Sequence, residues 1–252
     1  KTYASAFAMR ELGFKRVLFL VHRAQLARQT KKSYEKVFGS QVSFGLVGGG
    51  YDEYDKDYIF ATVQTLNRDE HLYRYQPDEF SAIILDESHH SLAATYQKIM
   101  NYFKPKLFLG MTATPDKRDD GEEGKNVYEL FHYQIAHEIR LQQAMEDNLL
   151  CPFHYFGISD VYSLDDKQLK SRKLDERDFN RLTGDERVRH IIEQSQYYGY
   201  SGNRVKGLIF CSRIDESVEL SRKFNEQGLR TIALNGSSSE EEREEAFERL
   251  AM

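Results

Sequence analysis

The sequence predicts an α/β fold built on parallel sheets with helices on their faces, and three observations lead there. Short runs rich in β-branched and aromatic residues recur along the chain: Val17–Val21, Tyr58–Val63, Ala82–Leu85 and Lys106–Met111, then Gly207–Cys211 and Thr231–Leu234. Segments with helical spacing of apolar residues lie between them, Ala24–Phe38 and Ile214–Gln227 among them, and this alternation calls for crossover helices joining parallel strands. The run Ala82-Ile83-Ile84-Leu85 is apolar without a break, as befits a strand covered on both sides.

Taken in order, the chain opens on Lys1-Thr2 and an apolar helix over Tyr3–Leu12. The strand Val17–Val21 and the helix Ala24–Phe38 follow. Gly48-Gly49-Gly50 makes a turn, and the acidic Tyr51-Asp52-Glu53-Tyr54 after it is not read as a base-stacking platform. Asp116–Gly124 is charged and nearly devoid of apolar residues, which predicts a mobile surface loop. Asp165–Glu186 is again highly charged, with helical character but little apolar stripe, and a fresh strand–helix–strand unit begins near Arg204. Gly228 stops the helix over Ile214–Gln227. A length of 252 residues accommodates two domains. They divide as a first α/β domain over 1–140, a linker and start of the second over 141–203, and the first part of that second domain over 204–252.

With 40% hydrophobic and 30% charged residues, the chain can bury a core without disulfide or metal staples. Cys151 and Cys211 stand far apart and are expected to be reduced, as in a cytosolic protein. No apolar run reaches membrane-spanning length and no signal-peptide pattern opens the chain, so a cytoplasmic protein is expected. The net charge of −5 conceals an uneven distribution: residues 1–50 carry nine Lys/Arg against two Asp/Glu, residues 51–100 four against ten. A basic section can attract phosphates locally, although Lys and Arg also coat solvated helix faces.

The residues with the clearest chemistry are Asp86-Glu87-Ser88-His89, directly after the strand Ala82–Leu85. In open α/β sheets, ligands bind outside the carboxyl ends of the strands. Of two carboxylates there, one can hold Mg2+ and the other can orient and deprotonate an attacking water. The purely structural alternative is an acidic helix start. Neighbouring runs favour the first reading, because Lys106–Met111 ends in Thr112-Ala113-Thr114-Pro115 and Tyr58–Val63 continues into Gln64-Thr65-Leu66. Adjacent His89 and His90 diverge on a helix or a strand, which argues against a shared transition metal.

These segments resemble the motifs of superfamily-2 helicases. Asp86-Glu87-Ser88-His89 is similar to the DExH box, Thr112-Ala113-Thr114 to motif III, and Ala61-Thr62-Val63-Gln64-Thr65-Leu66 to motif Ib. Leu20-Val21-His22-Arg23-Ala24-Gln25-Leu26 resembles motif Ia, and Leu208-Ile209-Phe210-Cys211-Ser212-Arg213 resembles motif IV. Within the superfamily, His22-Arg23, Ser88-His89-His90 and Asn235-Gly236-Ser237 most resemble the motor of type III and type I restriction enzymes and related bacterial DNA and RNA helicases. Lys1-Thr2 is similar to the end of a Walker A loop.

The resemblance implies tandem RecA-like domains with the second truncated, and an ATP-dependent helicase or double-stranded DNA translocase. Lys1 and Thr2 would meet the ATP phosphates, Thr2 and Asp86 would hold Mg2+, and Glu87 would activate water. His89, Thr112 and Thr114 would couple nucleotide state to nucleic acid, with His90 in a packing role. Arg23, Thr62, Gln64 and Thr65 of the first domain, and Ser212 and Arg213 of the second, would touch the nucleic-acid backbone, DNA in preference to RNA. An attached or associated nuclease module is a further expectation. The glycines of the Walker A loop and motifs V and VI are not found in the sequence, so the isolated chain is expected to be inactive. Two other functions compete. A non-catalytic nucleic-acid-binding scaffold is opposed by the intact Asp86-Glu87 pair. A phosphohydrolase acting on nucleic acid itself would need a second carboxylate group near Asp86.

Overall fold

The computed structural model describes residues 1–115, 127–162, 176–200 and 202–251, without the side chain of His90. The loop expected over Asp116–Gly124 and part of the charged stretch after Asp165 lie outside the described residues. The chain forms two compact units, Lys1–Arg140 and Leu141–Met252.

The first unit holds a six-stranded sheet in the order β3-β2-β4-β1-β5-β6. Its strands are β1 (Val17–Val21), β2 (Phe44–Gly48), β3 (Tyr51–Asp52), β4 (Tyr58–Thr62), β5 (Ala82–Asp86) and β6 (Leu107–Met111). All pairs are parallel except β2 with the short β3. Helices α1 (Thr2–Leu12), α2 (Ala24–Phe38), α3 (Val63–Leu66), α4 (Asp69–Leu72), α5 (Ala94–Tyr102) and α6 (Val127–Leu130) complete the unit.

Burial on both faces explains why β1 carries no polar alternation. Val17, Phe19 and Val21 pack with Ala6, Met9 and Tyr34 from α1 and α2. Leu18 and Leu20 pack on the other side with Leu66, Leu72, Ile99 and Phe103, toward α3 to α5. Every residue of β1 is buried, and each large apolar side chain removed from water is worth about 1.5–3 kcal/mol. Tyr34 centres one face, its ring 5.6 Å from Phe19 and 5.2 Å from Phe60. Its hydroxyl shares a 2.8 Å bond with Ser5 Oγ, which ties α2 to α1 without leaving a buried polar atom unpaired.

Strand β1 and the helix α2 fall where the sequence places them, β6 begins one residue later, β5 extends one residue further to Asp86, and β4 ends one residue early because Val63 turns into α3. Strand β2 was not predicted. Its Phe-Gly-Leu-Val-Gly composition weakens the strand signal, and its place is set by the ladder to β4 from Phe44↔Tyr58 to Val47↔Ala61. Gly45 is required there, since a Cβ would stand 2.4 Å from the Glu53 carbonyl oxygen.

The second unit contains α7 (Leu141–Glu146), α8 (Glu176–Leu182), α9 (Asp185–Tyr198), α10 (Ile214–Glu226) and α11 (Glu240–Ala251). Its core joins α9 to α10 through Val188, Leu220 and Phe224. The expected strands over Gly207–Cys211 and Thr231–Leu234 are not formed among the described residues. A strand needs a laddered neighbour and a covered face, whereas Leu208, Ile209 and Phe210 are exposed. Both cysteines are free thiols. No helix among the described residues is long and apolar enough to cross a membrane.

At the opposite sheet edge from the strand ends, Asp57 Oδ2 accepts 2.7 Å hydrogen bonds from the Ser43 amide and hydroxyl. Those bonds hold the carboxyl below its ordinary pKa. A depressed folded pKa contributes stability above the unfolded value of about 4 and loses it as pH falls through the folded one. Asp57→Ala is expected to cost about 1–3 kcal/mol at pH 7 and progressively less below about pH 4. Urea unfolding at neutral and acid pH measures this; an equal loss at both would exclude the carboxylate charge as the cause.

Candidate functional site

Parallel register brings the strand ends to one rank. Val21 pairs with Thr62 and Leu20 with Leu85, and Asp86 pairs with Met111. The residues that follow, Arg23, Val63, Glu87 and Thr112, therefore emerge along one edge of the sheet.

Asp86 and Glu87 leave the edge in different directions, because Glu87 adopts a left-handed backbone with φ 51° and ψ 50°. That conformation costs a non-glycine residue about 1 kcal/mol or more, and it redirects the chain from β5 into the 3-10 turn Ser88–His90. Lys1, the N-cap of α1, reaches this point from the far end of the sequence. Its Nζ lies 2.7 Å from Glu87 Oε1 and 3.9 Å from Asp86 Oδ1. Partial burial pushes the Glu87 carboxyl up. The Lys1 hydrogen bond and charge, joined by His89 and His22, outweigh it and hold the group below the usual carboxylate range. Glu87 is thus ionised at neutral pH.

Thr2 begins α1 beside Lys1, and no direct bond joins it to Asp86. Asp86 Oδ1 is buried without a hydrogen-bond partner. An acidic oxygen spared by protein donors suits a hard divalent cation that keeps most of its waters, and the threonine one residue past Lys1 could supply a further oxygen.

On the other side of Glu87, His89 Nδ1 lies 3.3 Å from Glu87 Oε2 and 3.0 Å from Thr112 Oγ1. Thr112 Oγ1 also accepts the Thr114 amide at 3.1 Å. The residues singled out at the ends of β5 and β6 thus form one line of contacts from Lys1 through Glu87 and His89 to Thr112 and Thr114. The side chain of His90, expected to pack, lies outside the described residues.

Farther along the edge, Thr62 Oγ1 caps α3, accepting the Thr65 amide at 3.1 Å and meeting Thr65 Oγ1 at 2.9 Å. Gln64 between them is exposed, and so is Arg23 at the start of α2. The turn Gly48-Gly49-Gly50, read from sequence only as a turn, lies between these two helix starts. A Cβ on Gly48 would stand 2.3 Å from Thr65 Oγ1, and one on Gly49 3.7 Å from Ala24 Cβ. All three glycines have positive φ, and three consecutive glycines were the available signal for it.

In the second unit, Ser212 and Arg213 are engaged within their own fold. The buried Glu216 accepts both the Ser212 amide at 3.1 Å and its hydroxyl at 3.0 Å. Arg187 lies 3.6 Å from the same carboxylate and donates to Asp160 at 2.7 Å. Arg213 pairs with Asp215 and lies over the Phe179 ring. Sequence reasoning missed Glu216 and Arg187, whose part depends on contacts across the unit.

The first unit is thus a mostly parallel sheet with flanking helices, in which a lysine at a helix start faces an Asp-Glu pair at a strand end. Residues 1–117 match the family described as type III restriction enzyme, res subunit. That match spans 117 of the 252 residues and includes Lys1, Asp86, Glu87, His89 and Thr112. IRC3 of Saccharomyces cerevisiae, named for an ATP-dependent helicase, is 24% identical over 97% of this chain and 35% of its own length. The type I restriction enzyme EcoAI endonuclease subunit of Escherichia coli is 24% identical over 82% of the chain and 27% of its own. The chain therefore spans about a third of these relatives. Among solved structures, the Hef helicase domain of Pyrococcus furiosus is 20% identical over 89% of this chain and 47% of that one, with a TM-score of 0.45.

Gly48→Ala is expected to force the turn off Thr65 and weaken the α3 cap, at a cost of about 1–3 kcal/mol. Hydrogen exchange at the Thr65 amide should quicken in the variant. Unchanged exchange and unfolding would mean that the turn does not support α3.

Proposed function

We propose that this chain is part of an ATP-dependent helicase or double-stranded DNA translocase motor that hydrolyses ATP with Mg2+. The observation that supports this most directly is Lys1 Nζ at 2.7 Å from Glu87 Oε1, beside Asp86 at the end of β5. The pair brings together the three side-chain types that phosphoryl transfer to water uses: a phosphate-binding cation, a metal-binding carboxylate and a water-orienting base.

In this reading the Lys1–Glu87 pair is a resting arrangement. Lys1 would turn its ammonium from Glu87 to the β/γ-phosphates of ATP, and Glu87, already ionised, would be released to orient a water for attack. Thr2 and Asp86 would hold the Mg2+ ion, which when bound offsets the charge on the transferring group. His89 stands between Glu87 and Thr112, so a change in Glu87's partners alters the competition for one imidazole nitrogen. Through Thr112 and Thr114 that change would pass to β6. The Arg23, Thr62, Gln64 and Thr65 edge would meet backbone phosphates, which makes binding insensitive to sequence. Ser212 and Arg213 would join by exchanging Glu216 and Asp215 for phosphate. DNA is preferred over RNA as the track, and a nuclease module in the full-length protein is consistent with the restriction-enzyme relative.

The test is ATP turnover by the full-length protein carrying this sequence, with and without duplex DNA. Turnover is expected to rise with DNA, and Glu87→Gln should lower kcat by about 100-fold or more with nucleotide binding retained. DNA affinity should fall by about 1000-fold or more between about 50 and 200 mM salt if six or more phosphates are contacted. DNA binding without turnover would instead support the non-catalytic scaffold.

A further inference from the structure

Tyr96 is a buried polar side chain to which the proposed chemistry gives no task. It belongs to the first turn of α5, is 5% exposed and has a hydroxyl with no hydrogen-bond partner. Asp86 Oδ1 is buried and without a hydrogen-bond partner too; its neighbour Lys1 Nζ stands at 3.9 Å, beyond bonding reach. Tyr75 Oη is a further buried atom without a hydrogen-bond partner in this unit, and each such group calls for an explanation; Tyr96 and Asp86 are the two that the fold brings to one edge.

The fold places them near one another. α5 crosses from the end of β5 to the start of the parallel β6, so it runs back along the sheet. Its far end lies at the opposite edge, where Phe103 meets Phe80 at 5.4 Å and the Lys104 amide bonds to the Pro77 carbonyl at 2.6 Å. Its first turn must then lie at the edge where Asp86 emerges. Tyr96 packs in the same cluster as Leu85, one residue before Asp86. Burial raises the pKa of its hydroxyl, and the charges of Asp86 and then Glu87 add to the effect. The phenol thus lies within the field of the acidic pair, yet outside direct hydrogen-bond reach of it.

We propose that Tyr96 is a positioning residue for the acidic pair, its hydroxyl joined to Asp86 Oδ1 through one buried water. A buried water commonly bridges polar groups that cannot meet directly. The phenol donates to the water and the water donates to Oδ1, which fixes the carboxylate plane and aims Oδ2 into the crevice. Outer partners of this kind typically change metal affinity by about 10–100-fold when removed. The inference rests on the proposed Mg2+-dependent nucleotide site for its consequence, but the bridge itself does not.

Two measurements separate these parts. A high-resolution crystal structure of this chain should show a water within hydrogen-bond distance of Tyr96 Oη and Asp86 Oδ1, and Tyr96→Phe should lose it while melting within a few degrees of wild type. No such water in the wild-type chain overturns the proposal. In the full-length protein, ADP binding is titrated by calorimetry with Mn2+ and with EDTA. Tyr96→Phe should weaken Mn2+-dependent binding by about tenfold and leave metal-free binding unchanged. Equal affinities with Mn2+, or equal losses with and without it, overturn the positioning role. A bridging water in a wild-type protein that binds no Mn2+-nucleotide would uphold the bridge and overturn the motor reading instead.

Discussion

Everything at the candidate site depends on the parallel register of β4, β1, β5 and β6. Each ladder places corresponding residues at the same height, so Thr62, Val21, Asp86 and Met111 end their strands together. A one-residue slip of β5 would turn its side chains to the opposite faces, bringing Asp86 into the apolar layer and Leu85 toward the crevice. The slip is prevented by burial on both sides, since Ile83 and Leu85 belong to one core cluster and Ala82 and Ile84 to the other. Hydrophobic packing in the interior thus sets the position of the charged groups at its rim.

The rim concentrates local strain and charge that the core stabilises. Glu87 is held in a left-handed conformation, a Lys–Glu pair closes over it, and Asp86 Oδ1 is left without a donor. None of these is an arrangement that stability alone would favour. A partly buried ion pair also gains little beyond its desolvation cost. Their grouping on one strand end, in contact onward through His89 to Thr112, is what distinguishes the site from an acidic helix start.

The second unit follows a different logic. Its described core is small, joining α9 to α10, and a buried carboxylate rather than a strand end organises Ser212. Glu216 holds the amide and hydroxyl of Ser212, while Arg187 balances its charge and reaches Asp160. The local backbone at the start of α10 is therefore fixed by polar contacts, and the apolar run before it remains exposed.

Much of this was legible in the residues themselves. Continuous apolar runs marked β1 and β5, helical periodicity delimited α2 to the residue, and Asp86-Glu87 marked the strand end at which Lys1 arrives. Those signals are local, written by side-chain spacing against a fixed backbone period. The glycine-rich β2 escaped because its position comes from a ladder with a strand ten residues away, and the runs near Leu208 and Ile232 read as strands although no ladder joins them among the described residues. Only the tertiary structure placed Lys1 against Glu87 across 86 residues of sequence, packed Gly48 on Thr65, and buried Tyr96 in the cluster that holds Leu85. Such contacts depend on how the helices cross the sheet, and a residue's own neighbours in sequence carry no record of what a distant segment will bring to it.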